Sequence, residues 1–204
     1  RLKMPEGEAI EAGIVFSALI SAGDVEAAHE AWLVMSGRTG ARDPNQLFNA
    51  GFDADFSGVP FDWSVSRATG ALVAQAERDG AAGGKVLSLA FDGTRATFPQ
   101  VRQILVLAPG PYQLTGQFKA ALVAKRGIRW RVLCLYGDRH VLGETEILGD
   151  TAGEWRPFAT TFEVVDLPDC RAQQFLLMHD ARTSSEQVLS GEIVFDDLVL
   201  RRVE

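Results

Sequence analysis

Two adjacent carboxylates stand inside the apolar segment Gly191-Glu-Ile-Val-Phe-Asp-Asp-Leu-Val-Leu200, almost at the end of the chain. An unpaired buried carboxylate strongly destabilises a fold, so Asp196 and Asp197 need a cation or a hydrogen-bond donor, or one of them must face water. In a regular strand, adjacent side chains point to opposite faces, so these two acids are poorly placed as the acid and nucleophile of a glycosidase.

The rest of the chain offers little for catalysis. Three histidines, His29, His140 and His179, are scattered and none forms a His-x-x-x-His pair. The segment Gly80-Ala-Ala-Gly-Gly-Lys85 has the wrong spacing for a phosphate-binding loop, and Val86 stands where Ser or Thr is required, so we interpret it as a turn. No Gly-x-Ser-x-Gly motif is present. The sequence predicts a protein that is not an enzyme.

Composition narrows the classes of partner. The 204 residues are 47% hydrophobic and 23% charged, which is typical of a globular protein with one well-buried core. The net charge of −7 argues against nucleic acid as a partner, because phosphate binding needs a positive field. No apolar run approaches the length of a transmembrane helix. The chain begins at Arg1 rather than Met, so we expect a preceding segment, and the localisation cannot be read directly.

Cys134 and Cys170 are too few for a disulfide scaffold and have no metal-binding spacing. Two interpretations are open: a pair of buried thiols acting as small apolar groups, or one disulfide that joins two strands.

Residues 1–43 have a helical pattern. Apolar residues recur at helical spacing from Glu6 to Met35, and Gly23 and Asp24 supply a stop and an N-cap between two helices. The segment Gly23-Asp-Val-Glu-Ala-Ala28 resembles the turn and second helix of a tetratricopeptide-like repeat. One such hairpin cannot bury its own apolar face, so it must pack on the next domain or on further repeats. The alternative is a hairpin that merely caps the domain after it.

From residue 47 to 204 the apolar period changes from 3.6 to 2, with turn residues about every ten positions. About ten strands without helical crossovers predict antiparallel pairing, and hence a mainly β, two-sheet antiparallel jelly-roll sandwich preceded by the N-terminal helical hairpin. The predicted strands lie at Leu47–Phe52, Phe61–Val65, Leu72–Gln75, Lys85–Phe91, Gln103–Leu107, Tyr112–Ala120, Ile128–Tyr136, Phe158–Val164, Gln173–Met178 and Glu192–Leu200.

Four landmarks occur in order along this region: Asn49-Ala-Gly-Phe-Asp53, Pro60-Phe-Asp-Trp63, Gly153-Glu-Trp155 with Phe158, and Gly191 to Leu198. Together they resemble the carbohydrate-binding-module jelly rolls of the galactose-binding-like superfamily. The resemblance is greater to the C-terminal sandwich that follows tetratricopeptide repeats in proteobacterial proteins linked with exopolysaccharide systems. It implies the fold more firmly than the ligand.

The resemblance also implies a structural calcium ion, which in that superfamily often ties the first strand to the last. The matching positions are Asp53, Asp196 and Asp197, completed by backbone carbonyls in an all-oxygen shell. The alternative is that Arg side chains or backbone N–H groups cap these carboxylates.

The ligand surface is harder to place, because the aromatic residues of the strands fall at the alternate positions that face the core and not at those that face solvent. The polar positions left for the solvent face are Gln113, Thr115, Gln117, Lys119, Arg129 and Arg131. If the two strands that carry them are neighbours, they form a basic row, extended by Lys125, Arg126 and Arg139, that could bind an anionic polysaccharide or an acidic protein. The alternative is an ordinary solvated face. Trp63 is interpreted as core, and Trp155, in a turn, as either a core lid or a binding platform.

These observations predict a non-catalytic binding module for polysaccharide or glycan in the cell envelope, with Gln113, Gln117, Lys119, Arg129, Arg131 and Trp155 as ligand-binding residues. The second hypothesis is a protein-interaction or assembly domain of a helical-repeat protein in an exopolysaccharide system, with an envelope protein as the partner. Sugar binding needs a groove with an aromatic residue and convergent polar groups, whereas assembly needs a contiguous patch that continues onto the helices.

Overall fold

The computed structural model describes residues 6–38, 45–79, 84–98 and 101–203. Two helices come first, α1 (Glu6–Ser21) and α2 (Val25–Met35). Gly23 provides the turn between them with φ of 86°, a conformation that favours glycine. Asp24 occupies the N-cap position of α2, as predicted, but its side chain makes no capping hydrogen bond. Within the described residues, no helix is long and apolar enough to cross a membrane.

In the part of the chain that the structure describes, ten strands follow, and they form two five-stranded sheets in which every pairing is antiparallel. The first sheet has the order β1-β4-β9-β6-β7, and the second has the order β2-β3-β10-β5-β8. The mainly β sandwich with an N-terminal helical hairpin is thereby confirmed. The strands are β1 (Ser64–Val65), β2 (Ala71–Glu77), β3 (Lys85–Arg95), β4 (Val101–Leu105), β5 (Gly110–Ala124), β6 (Ile128–Cys134), β7 (Val141–Glu144), β8 (Arg156–Val164), β9 (Gln173–His179) and β10 (Val188–Arg202).

The prediction of a first strand at Leu47–Phe52 is wrong, because this segment forms a turn. Asn49 and Phe52 have φ of 48° and 57°, left-handed values outside the range of a regular strand. The segment is still fixed to β10, because the Asn45 side chain donates to the Leu198 carbonyl and accepts from the Leu200 N–H. Leu47 and Phe52 are buried. The apolar pattern therefore predicted the burial of these side chains correctly but the backbone conformation incorrectly. The strand β7 was not predicted.

Aromatic side chains fill the space between the two sheets. The ring centroids of Trp130 on β6 and Phe175 on β9 are 4.5 Å apart, and Phe195 from β10 meets the same indole at 5.3 Å. Trp63 is fully buried beside them, and its indole N–H donates to the Asn49 carbonyl at 2.9 Å. Trp63 is therefore core, as predicted.

The helical hairpin packs on the sandwich. Phe16 and Trp32 form a buried cluster with Phe61 and Ala172, and the half-buried Ile104 of β4 borders it. The Tyr136 hydroxyl donates to the Ile20 carbonyl at 3.1 Å. The hairpin thus buries its apolar face against the domain that follows, one of the two arrangements expected for it.

Cys134 and Cys170 form a disulfide with their Cα atoms 4.5 Å apart, which decides between the two interpretations of the cysteines. The bond joins the end of β6 to the short 3₁₀ helix Pro168–Cys170. Both residues are almost completely buried, so the bond is structural rather than exposed to exchange.

We expect the double variant Cys134→Ala/Cys170→Ala to unfold more easily than the wild type. The bond closes a loop over a sequence separation of 36 residues, so chain entropy predicts a loss of about 2–4 kcal/mol in the free energy of unfolding. Urea denaturation with and without dithiothreitol measures it. The wild type should shift toward the variant when reduced, and an identical midpoint in all four samples would contradict the expectation.

Candidate functional site

Three of the predicted ligand residues, Gln117, Lys119 and Trp155, lie together on the outer face of the second sheet. Gln117 and Lys119 are half-buried on β5 and alternate with Phe118, which points into the core. β8 begins opposite Phe118, at Arg156, and this register brings the preceding Trp155 beside Lys119. The Lys119 Nζ atom is 5.8 Å from the centroid of the Trp155 ring.

The turn that carries Trp155 is fixed to β5 by backbone hydrogen bonds. The N–H groups of Thr151 and Gly153 both donate to the Ala120 carbonyl at 3.0 Å. Ala152 and Gly153 have φ of 55° and 77°, so the chain makes a tight left-handed turn just before the tryptophan. Trp155 is half-buried, with part of the indole accessible, which makes it a surface aromatic rather than a fully buried lid.

Arg78, which sequence reasoning missed, is at the centre of this group. It directly follows β2, and its guanidinium carbon is 4.9 Å from the centroid of the Trp155 ring. One guanidinium nitrogen, Nη1, donates to Asp196 Oδ2 and, at 3.0 Å, to Asp197 Oδ2. The Lys119 Nζ atom also donates to Asp79 Oδ2 at 2.8 Å. We use the name Trp155 site for the following residues: Arg78, Asp79, Gln117, Lys119, Trp155 and Asp197.

A β-bulge explains how both acids reach one arginine. The register of β10 against β5 shifts between Asp196 and Val199, and Asp197 has φ of 53°. The expectation that Asp196 and Asp197 point to opposite faces is therefore wrong, because it assumed a regular strand. The requirement for a donor or for water is met in both ways: the Asp196 side chain is 5% exposed and paired with Arg78, and the Asp197 side chain is 52% exposed.

Burial raises the pKa of the Asp196 carboxyl, although the Asp197 N–H and the Arg78 guanidinium both favour the charged form. The Asp197 N–H donates to Asp196 Oδ1 at 2.7 Å, so both carboxylate oxygens of Asp196 have a donor.

Asp53, the third residue predicted to bind calcium, does approach Asp196. A Cβ atom placed on Gly51 would lie 3.4 Å from Asp53 Oδ2 and 3.9 Å from Asp196 Oδ1. Asp53 Oδ1, however, accepts the Lys85 N–H at 2.9 Å, and the single positive charge of Arg78 already contacts both Asp196 and Asp197. The described residues contain no group of three Asp, Glu, His or Cys side chains that could hold one ion. Protein donors therefore already contact these carboxylates, and the structural calcium stays a prediction.

The other predicted ligand residues lie elsewhere. β5 belongs to the second sheet and β6 to the first, so the two strands are not neighbours and the single basic row does not form. Arg129 and Arg131 lie on the outer face of the first sheet, where both contact Glu144. Gln113 lies on β5, and its side-chain oxygen accepts from Arg201 at 3.1 Å.

Two of the three histidines are packed against aromatic rings. His29 stacks on Trp32 with ring centroids 5.7 Å apart, and burial lowers its pKa. His179 lies 5.9 Å from Phe98, and burial lowers its pKa as well. Both rings are packed against aromatic neighbours, and His29 also lines a cavity of about 400 Å³ between α2 and the first sheet, away from Trp155.

No protein-family model matches this chain, and no curated protein matches it. Solved structures do. A CBM4 carbohydrate-binding module superposes with a TM-score of 0.54 at 20% identity, covering 77% of this chain and 99% of the module. A putative sugar binding protein from Bacteroides thetaiotaomicron gives a TM-score of 0.57 at 11% identity, covering 78% and 100%. A CBM61 module in complex with β-1,4-galactotriose gives 0.52 at 17% identity, covering 79% and 100%. At such identities the likeness establishes the fold alone, a two-sheet antiparallel β-sandwich similar to the sandwiches of these modules.

Proposed function

We propose that this protein is a non-catalytic glycan-binding module of the cell envelope and that the Trp155 site is its contact surface. The observation that carries the proposal is a partly exposed indole, Trp155, with guanidinium, amide, ammonium and carboxylate groups around it, on the outer face of a sandwich similar to that of carbohydrate-binding modules.

The chemistry of the Trp155 site suits a saccharide. An indole offers a rigid apolar surface for the C–H face of a sugar ring, and few conformations are lost on binding. Hydroxyl groups need both donors and acceptors nearby, which Lys119 and Asp197 supply. Gln117 Nε2 lies 3.5 Å from Asp197 Oδ2. A hydrogen bond of this length is weak, so a sugar hydroxyl could take the place of either partner.

A shallow groove of about 400 Å³ extends the site along the sheet. Thr115, Gln117, Pro157 and Asp197 are among the residues that line it. Its combination of apolar surface with a few polar groups is the usual composition of a ligand site. It could hold a saccharide unit that continues from the one stacked on Trp155.

The proposed setting in the cell envelope is supported by the disulfide, because such bonds persist in oxidising compartments. The link to an exopolysaccharide system comes from the resemblance of the sequence alone. The non-catalytic character is supported by the placement of the acids: Asp196 and Asp197 are held by one guanidinium rather than on opposite sides of a groove.

One observation favours the second candidate function, protein interaction or assembly. Helix α1 exposes Ile10, Ile14 and Val15 by 61%, 65% and 56%, on the side away from the sandwich. Apolar side chains grouped in this way are typical of a surface that meets another protein, such as a further helical hairpin or an envelope partner.

Affinity electrophoresis tests the proposal. The domain is run in native gels that contain soluble galactan, xylan or mixed-linkage glucan, and in a gel without polysaccharide. We expect at least one polysaccharide to retard the domain relative to a non-binding control protein. Unchanged mobility in every gel would count against glycan binding and favour the assembly role.

A further inference from the structure

The outer face of the first sheet carries a group of arginines on an otherwise acidic protein. Arg102 on β4 and Arg131 on β6 both pair with Leu176 of the intervening β9, so they lie in one row across the sheet. Neighbouring strands are about 4.8 Å apart, so the two Cα atoms are about 10 Å apart on the same face. Arg129 stands two residues from Arg131 on the same side of β6.

Two further arginines border this row. The Arg139 side chain donates to Gln174 of β9, and Arg126, just before β6, lies 3.8 Å from Asp180. We use the name arginine face for Arg102, Arg126, Arg129, Arg131 and Arg139.

Three acids oppose these five arginines. Glu144 binds Arg129 and Arg131, Asp180 binds Arg126 and Arg129, and Glu186 lies 3.8 Å from Arg126. Among these side chains, the positive arginines thus outnumber the acids, whereas the whole chain carries −7. A local field of this sign attracts anions to the face.

The contacts with the acids also orient the guanidinium groups. Arg131 Nη2 and Nε donate to Glu144 Oε2 at 2.7 and 3.0 Å, so this fork is fixed before any ligand arrives. Arg102, in contrast, is exposed and forms no ion pair within the described ranges. One oriented and one free guanidinium on the same row form a pair of donors for a carboxylate.

Hydrogen-bonding capacity is left over at this face. Among the residues that the structure describes, the Nε atoms of Arg126 and Arg129 and the Oδ2 atom of Asp180 are buried without a hydrogen bond. Unsatisfied buried groups of this kind are uncommon in native proteins, and ordered water would satisfy them.

We propose that the arginine face is a second binding site, for an anionic polysaccharide, in which a uronate carboxylate binds between Arg102 and Arg131. That the ligand is a polysaccharide rests on the proposed function, whereas that it is anionic rests on the arginines. Positive charge spread over β4, β9 and β6 suits a chain of repeated carboxylates better than one small anion. The competing Glu144 makes the site selective for ligands that present several charges.

Polygalacturonate, as a soluble probe, tests the proposal in affinity electrophoresis and calorimetry. We expect Arg102→Ala/Arg131→Ala to weaken binding by about tenfold or more, since two charge-assisted contacts to the carboxylate are lost. We expect Glu144→Gln to strengthen binding, because it releases Arg129 and Arg131 from their acidic partner. The affinity of the wild type should fall as NaCl rises from about 50 to about 500 mM.

The matched control is Arg95→Ala/Arg201→Ala, which removes two charges from exposed positions on the second sheet. This control should keep most of the polygalacturonate affinity. If Arg102→Ala/Arg131→Ala is unstable, the single variant Arg102→Ala replaces it in the test. Equal losses in both double variants would overturn the proposal, as would absence of binding by the wild type or weaker binding by Glu144→Gln.

The outcome can be separated from that of the proposed function. A Trp155→Ala variant should lose neutral glycans and keep polygalacturonate, whereas the Arg102→Ala/Arg131→Ala variant should do the reverse. Loss of polygalacturonate in the Trp155→Ala variant would place the anion at the Trp155 site and overturn the second site. If the wild type binds polygalacturonate but no neutral glycan, the arginine face is supported and the Trp155 site is refuted.

Discussion

Replacing Arg78 with Met is expected to lower the free energy of unfolding by about 3 kcal/mol or more, because it leaves the buried Asp196 carboxylate without its cation. The Asp196 and Arg78 side chains are only 5% and 15% exposed, so water cannot take over the role of the guanidinium. The same change removes the arginine that covers Trp155 at 4.9 Å. Urea denaturation near neutral pH measures the loss.

The loss should depend on pH in a defined direction. Burial already raises the pKa of Asp196, so the folded state binds this proton more tightly than the unfolded state does. Removing Arg78 takes away a group that lowers this pKa and therefore raises it further. Stability gained from the bound proton is present at acidic pH and is lost as the pH rises through the folded pKa. The variant should be less impaired at about pH 4.5 than at about pH 7.5.

Two comparisons make the test specific. The double variant Arg78→Met/Asp196→Asn removes both charges and should regain much of the lost stability, since no buried charge is left unpaired. Melting the wild type with and without EGTA tests the predicted calcium at the same place: if Arg78 supplies the cation, the curves coincide. A melting point of Arg78→Met equal to that of the wild type would refute the account of Arg78.

Replacing Trp155 with Ala is expected to weaken glycan binding by about 30-fold, the loss of about 2 kcal/mol that a central tryptophan typically contributes. The reason is geometric: Trp155 is the aromatic surface around which Lys119 and Arg78 are placed. Calorimetry with the polysaccharide that retards the wild type measures the change in affinity.

The matched variants are Trp155→Tyr and Gln113→Ala. Tyrosine keeps an aromatic face and should retain most of the affinity. Gln113 lies on the same strand and the same face, but it contacts Arg201 instead of the Trp155 site, so its loss should leave binding nearly unchanged. If Trp155→Ala binds as tightly as the wild type while folding normally, the saccharide contacts another surface.

Local patterns predicted most of the fold. The alternation from Tyr112 to Ala120 matches the burial of β5, and the helical spacing predicted α1 and α2. The failures occurred where conformation departs from regular geometry: the buried turn ending at Phe52 has left-handed residues, and the bulge at Asp197 turns the second acid toward the first. Apolar periodicity reports which side chains are buried, and it carries little information about such single-residue distortions.

The candidate site was predicted only in part, because strand order is a non-local property. Gln117, Lys119 and Trp155 were identified by type and parity, and the structure brings them together. The prediction placed Arg129 and Arg131 in the same row because it assumed that consecutive strands are neighbours. That assumption is wrong here, since the chain crosses to the other sheet between β5 and β6. Arg78 was missed because its acidic partner Asp196 is 118 residues away along the chain.

The most direct test of the central claim, that this sandwich is a glycan-binding module, is a glycan-array screen of the intact chain. We predict selective retention of a restricted set of related saccharides, with Trp155→Ala losing the neutral members of that set. No retention of any glycan by the folded protein would contradict the claim, and attention would then move to the exposed Ile10, Ile14 and Val15 of α1 as a surface for a protein partner.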